Sequence, residues 1–177
     1  NLSTVEGNSV LALDGNLIYT VDANGYATAQ FTGVNVQVVN GVDQTTINGL
    51  GNLIVGYNNA RISTLASSVC SDGQYTTQTA CQNAGQTWAV NHKSGSHNLV
   101  AGDKNSYSQT GGVVFGIQNI INRAYANVSG GVNNIASGQY SSVSGGISNL
   151  ASGGSLAVLA EVLRCIWHVR AQIFVVS

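Results

Sequence analysis

The chain of 177 residues carries six basic and seven acidic residues for a net charge of −1, is 7% charged, and contains neither Pro nor Met. With no basic stripe and no polybasic cluster, nucleic acid and anionic lipid are not expected partners. The length allows one domain with a modest core or one elongated array, and a first residue other than Met implies a processed start or a cut from a longer chain.

Abundant Asn, Ser, Gly and Thr at low charge point toward disorder, but regularly placed Val, Ile and Leu oppose it. Residues 1–50 read as an N-terminal β cap. Asp14-Gly15 and Asn24-Gly25 are hairpin signals between strands Ser9–Leu13, Leu17–Val21 and Tyr26–Phe31. Val34, Val36 and Val38 alternate with Asn35 and Gln37 as a half-buried strand. Such a segment shields the first coil of a repeat array, which every solenoid requires.

The array itself is expected over residues 51–154. Asn52-Leu-Ile-Val-Gly56 matches Asn98-Leu-Val-Ala-Gly102, aligning Gly56 with Gly102 and Asn59 with Asn105. The clearest copies are Val128-Ser-Gly-Gly-Val-Asn-Asn134-Ile-Ala-Ser-Gly138 and, fifteen residues on, Val143-Ser-Gly-Gly-Ile-Ser-Asn149-Leu-Ala-Ser-Gly153. A looser copy, Val113-Val-Phe-Gly116-Ile-Gln-Asn119, precedes them. This register makes Val113, Val128 and Val143 equivalent, and likewise Gly116, Gly131 and Gly146. Coils of ~14–15 residues fit two short strands and two tight turns, and a fixed short period means coils that bury their apolar faces against one another.

Val128, Gly130 and Val132 share one parity, as do Ala136, Gly138 and Tyr140, with a slip between Tyr140 and Val143. Glycines are expected to supply the turns. Asn105, Asn119, Asn134 and Asn149 are expected to stack at one corner as a hydrogen-bonded ladder. The fold class is all-β, a parallel β-roll or β-solenoid with coils ~4.8 Å apart.

An insertion interrupts the array at roughly 67–91. It holds Cys70, Cys81, Tyr75 and Trp88 and lacks the repeat. Insertions in solenoids map to loops on one face, often the binding face. Ten residues separate the two cysteines, a spacing that suits a small disulfide-closed loop and no common zinc site. Such a disulfide implies an oxidising compartment, with two free buried thiols as the alternative. Trp88 and Tyr75 are the candidate binding side chains, rigid and amphipathic. From residue 155 to 177 the composition turns apolar, and Leu156 to Arg170 falls near helical spacing, as a capping helix, a subunit contact or a foreign tail. It is too short and too charged to span a bilayer, and Cys165 has no assigned partner.

Candidate chemistry gathers around His92 and His97, which flank Lys93-Ser-Gly-Ser96. The His-x4-His spacing is similar to that of zinc ligands in γ-type carbonic anhydrases, but only the spacing matches; His168 lies far off in the tail. A metal needs three or four ligands in fixed geometry, so no metal and no cofactor is expected. Ser94, Ser96, His92, His97 and Asp103 offer the residue types of an acyl-transfer triad. No Gly-x-Ser-x-Gly elbow accompanies them; an esterase-like hydrolase stands as the main enzyme alternative, with a zinc-dependent enzyme like the γ-type carbonic anhydrases behind it. The Gly-Gly pairs lack the following Asp of calcium β-rolls, and Asn127-Val-Ser129 matches a glycosylation sequon only by pattern.

The run Val-Ser-Gly-Gly-x-x-Asn-x-Ala-Ser-Gly-x-Tyr-Ser-Ser resembles the repeat in head domains of bacterial trimeric autotransporter adhesins, the YadA-like left-handed β-roll. The resemblance covers roughly Gly51 to Ala66 and Ser94 to Gly153. It implies a homotrimer at the bacterial surface or secreted from it, with an adhesive role toward a surface or glycan. The family's coiled-coil stalk and membrane anchor have no counterpart in the sequence, which points to a fragment or a head-like protein.

Overall fold

The computed structural model describes residues 13–62, 67–155, 157 and 158. The chain divides into two units, one ending at Gln37 and one beginning at Val38. In the first, β1 (Leu17–Val21) pairs antiparallel with β2 (Ala27–Phe31). Asp22 Oδ1 accepts the backbone N–H groups of Asn24 and Tyr26, and Gly25 takes a φ of 87°, so the Asn24-Gly25 signal marks the turn. Ser9–Ala12 of the expected first strand lies outside the described residues; Leu13 begins a turn. Residues 34–38 form no strand, and Val34, Val36 and Val38 are exposed. Alternation specifies which side chains share a face but not that a neighbouring strand is there to accept the backbone bonds.

The second unit is a β-solenoid of about four turns. Its strands are β3 (Leu53–Val55), then β6 (Leu99–Asp103), β7 (Ser106–Tyr107), β8 (Val113–Ile117), β9 (Ile120–Ile121), β10 (Asn127–Val128), β11 (Ile135–Ala136), β12 (Ser142–Val143), β13 (Leu150–Ala151) and β14 (Ala157–Val158). Between β3 and β6 come β4 (Val69–Cys70), α1 (Gln78–Asn83) and β5 (Trp88–Ala89) of the insertion. One parallel sheet runs β14-β12-β10-β8-β6-β3, and the opposing one runs β13-β11-β9-β7. From β6 to β13 each coil therefore gives one strand to each sheet.

The core lies between the sheets and is one residue wide per strand. Val100, Val114, Val128 and Val143 form a column from one sheet, facing Tyr107, Ile121, Ala136 and Ala151 from the other. Parallel in-register stacking makes such columns the natural unit of packing. The facing column shrinks from Tyr to Ile to Ala along the axis, so the first described coils carry the bulkiest core.

Two details of the expected register change. Val128 pairs with Val114, not Val113, whereas Ile117 pairs with Val132. The coil from β8 is one residue shorter than the next, and the extra residue sits between the buried valine and the glycine corner. Alignment on the glycines alone therefore places the valine one position early. The parity slip also falls earlier, in the turn between Gly138 and Ser141, so Tyr140 faces outward and stacks on Tyr125 with ring centroids 5.4 Å apart.

Glycines supply one set of turns as expected, with Gly102, Gly116, Gly131 and Gly146 at φ between 82° and 104°, but other turn positions are filled by larger residues. Lys104, Gln118, Asn133 and Ser148, each just before a ladder asparagine, have φ between 55° and 60°. Tyr125, Tyr140 and Ser155 do the same at the opposite corner. Non-glycine residues rarely enter this region unless surrounding contacts over-determine it. At the repeat glycines close approach adds to the positive φ: a Cβ on Gly131 would sit 2.0 Å from the Gly146 carbonyl oxygen.

β14 pairs with β12, so the array continues past the expected end at residue 154. The helix expected over Leu156–Arg170 lies outside the described residues except at Ala157 and Val158, which are strand; Cys165 and His168 also lie outside. No helix among the described residues is long and apolar enough to cross a membrane.

Candidate functional site

The insertion returns to its starting point because β4 and β5 pair antiparallel, Val69 with Ala89 and Cys70 with Trp88. Thr77 caps α1, its hydroxyl accepting the Ala80 N–H. The Cys70–Cys81 disulfide joins this helix to β4 with a Cα–Cα distance of 5.7 Å, and both cysteines are buried. The insertion is thus a small folded hairpin with a helix, where the repeat-free sequence suggested only a loop.

It is also anchored to the solenoid. Gly73 N–H donates to the Asn122 carbonyl at 2.8 Å, and Asn122 Nδ2 donates to the Cys70 carbonyl at 3.0 Å. The Ser71 carbonyl accepts from Ser108 Oγ and Gln109 Nε2 at 2.7 and 2.9 Å. Arg123 pairs with Asp72 at 2.6 Å, both side chains largely shielded, where charge-assisted bonds are strongest. Tyr75 and Trp88 are half-buried on this anchored hairpin.

The histidines and serine flagged in the sequence are engaged structurally. His92 is buried, and its Nε2 donates to the Val69 carbonyl at 3.0 Å, fastening the insertion's first strand. His97 Nε2 accepts the Asn40 backbone N–H at 3.2 Å. Ser96 Oγ accepts the Asn48 N–H at 3.0 Å and donates to Asn48 Oδ1 at 3.1 Å. Asp103 lies 3.8 Å from Lys104, and its Oδ1 is buried with no partner among the described residues. Ser94 is exposed. None of Ser94, Ser96, His92, His97 and Asp103 hydrogen-bonds another of the set. Among the described residues no three His, Cys, Asp or Glu side chains gather as a metal ion would require.

The asparagines stack as a ladder in which Asn105, Asn119 and Asn134 use both side-chain polar atoms. Asn119 N–H donates to Asn105 Oδ1, Asn134 N–H to Asn119 Oδ1, and Asn149 N–H to Asn134 Oδ1, at 2.8–3.0 Å. Each Nδ2 reaches a carbonyl four residues earlier in its own coil. Those of Asn105, Asn119 and Asn134 also reach a glycine carbonyl of the next coil at 2.9 Å. A second, shorter ladder escaped the sequence reading. Asn52 Oδ1 accepts the Asn98 N–H at 2.8 Å, and Asn98 Oδ1 accepts the Gly112 N–H at 2.8 Å.

At the β3 end of the main ladder sits a polar cluster that no repeat position signalled. Lys93 Nζ donates to Asn58 Oδ1 at 2.7 Å and to the carbonyl of Asn105. It lies 5.2 Å from the centre of the buried Tyr107 ring. The Tyr107 hydroxyl accepts from Asn58 Nδ2 at 2.9 Å. Burial lowers the Lys93 pKa to about 8, nearby Arg61 pushing the same way and Asp103 opposing. Burial raises that of Tyr107, with the Asn58 bond opposing. Arg61, itself lowered by burial, donates through NH1 to the Val90 carbonyl at 2.9 Å. The one hint in the sequence was Lys93 standing alone between the two histidines.

Comparison with family models, with curated proteins and with solved structures finds no match for this chain, so its function is argued from the hairpin, the ladders and the lysine cluster themselves.

Proposed function

We propose that this protein is a structural, adhesive β-roll of a bacterial surface or secreted protein, of the trimeric adhesin-head kind, and that the inserted hairpin carries its recognition surface. The observation that carries the reading is the anchoring of that hairpin: a disulfide and a helix cap stiffen it internally, and bonds from Ser108, Gln109, Asn122 and Arg123 hold it to the solenoid. Anchoring of this kind removes the ordering cost that weakens binding by mobile loops. Trp88 and Tyr75 supply contact area of the type that dominates interfaces. The resemblance of the Val-Ser-Gly-Gly repeats to adhesin heads supports the trimer and the surface location, and the disulfide favours an oxidising compartment. Residues 40 and 48, bonded to His97 and Ser96, are the part of the expected cap that lies within the solenoid unit.

The test is binding to immobilised glycans and extracellular-matrix proteins. Trp88→Ala, or reduction of Cys70–Cys81, is expected to abolish binding while the far-ultraviolet circular dichroism of the roll is retained. Binding that survives both would overturn the assignment to the hairpin. No specific observation favours the hydrolase reading. Reproducible ester or glycoside turnover lost in His97→Ala would replace the adhesive proposal.

A further inference from the structure

We propose that Lys93 and Asn58 become joined by a covalent amide bond that the folded protein forms by itself, the lysine amine displacing ammonia from the asparagine carboxamide. This goes beyond the adhesive reading and stands whether or not the hairpin binds a surface.

Geometry carries the proposal. Lys93 Nζ lies 2.7 Å from Asn58 Oδ1. With a C=O bond of about 1.2 Å, the carboxamide carbon is at most about 3.9 Å from the amine, close to the ~3–3.5 Å of reacting partners held for attack. Both partners are held in place. Tyr107 N–H donates to the His92 carbonyl and Gly95 N–H to the Tyr107 carbonyl, at 2.8 and 3.1 Å, bracketing Lys93 against β7. Asn58 is fixed in the left-handed region at φ 52°. Such positioning turns a sluggish amide exchange into an intramolecular step.

The chemistry is balanced within the cluster. Burial, reinforced by Arg61 and opposed by Asp103, brings the Lys93 pKa to about 8, so roughly a tenth of the amine is neutral and nucleophilic near pH 7. Nζ adds to the carboxamide carbon and a C–N bond forms. The old bond to Nδ2 then breaks, and Nδ2 leaves as ammonia. Its extra proton comes from the Tyr107 hydroxyl, 2.9 Å away and kept protonated by burial, which recovers one from Nζ. No oxidant or other reactant is needed. The bond would span 35 residues and tie the two ends of the insertion together. It would do so beside β3, the edge strand whose Leu53 and Val55 are exposed and whose only strand partner among the described residues is β6.

Mass spectrometry of the purified full chain tests this. The intact mass is expected to fall short of the sequence mass by one ammonia, beyond the hydrogens lost to the disulfide. Trypsin should fail to cleave after Lys93 and should yield a branched peptide linking Lys93 to Asn58. Lys93→Arg and Asn58→Ala should each restore the full mass, and Tyr107→Phe should slow bond formation at least tenfold in freshly folded protein. A wild-type chain of full sequence mass with Lys93 open to trypsin overturns the proposal, whatever the variants do. A deficit that persists in Lys93→Arg or Asn58→Ala overturns it equally, because the lost ammonia then comes from elsewhere.

Discussion

Asn134 is buried, and each of its side-chain atoms bonds a group that belongs to another part of the wall: Gly130, Gly146 and the Asn149 N–H. A polar group in that position is stabilising because the alternative is several backbone groups cut off from water with no partner. Asn134→Leu is expected to lower stability by ~1–3 kcal/mol in urea unfolding. Asn127→Leu, one strand earlier, removes only a weak contact with Ser129 at 3.4 Å and should cost less. Equal losses at the two positions would mean that the ladder does not contribute as its geometry implies.

At the scale of the coil, the two glycines of the Val-Ser-Gly-Gly turn have different jobs. A Cβ on Gly131 would meet the Gly146 carbonyl oxygen at 2.0 Å and Asn134 Nδ2 at 2.7 Å, with φ at 82°. A Cβ on Gly130 meets nothing within 4 Å. Gly131→Ala is therefore expected to push adjacent coils apart and destabilise by roughly 2 kcal/mol or more. Gly130→Ala should fall within about 0.5 kcal/mol of the parent. Thermal unfolding of the two variants decides this, and similar melting temperatures would show that coil spacing does not depend on the Gly116–Gly131–Gly146 stack. The same close stacking explains why the core can be one side chain wide: little separates the coils except backbone.

For the solenoid unit as a whole, a core one residue wide leaves much apolar surface outside. Ile117, Val132 and Ile147 form an in-register outer row, with Ile117 47% and Ile147 71% exposed. In the proposed trimer this row is the natural contact, since burying it adds ~25 cal/mol per Å² and a closed symmetric assembly repeats the gain at every subunit. Light scattering at micromolar concentration is expected to give three times the chain mass. Ile147→Asp should shift the protein to monomers, because a charge would be buried without a partner. A monomer mass for the unmodified protein would rule the trimer out.

What the sequence by itself determined is what repeats. The recurrence of glycine and asparagine at 14–15 residues was enough to place Gly116, Gly131 and Gly146 in one stack and the asparagines in one ladder. In a solenoid each coil touches only its neighbours, so local periodicity and spatial contact coincide. The spacing of Cys70 and Cys81 was legible for the same reason, because eleven residues of chain bring few alternatives within reach. Only the tertiary structure decided the rest. Pairing Val128 with Val114 depended on a one-residue difference in coil length that appears only when strands are laid side by side. The roles of His92, His97 and Ser96 were settled by Val69, Asn40 and Asn48, none of them a repeat neighbour. The meeting of Lys93 with Asn58 and Tyr107 likewise joins segments from either side of the insertion. Contacts between non-repeating segments leave no period in the chain, and it is there that the fold places its half-buried amine.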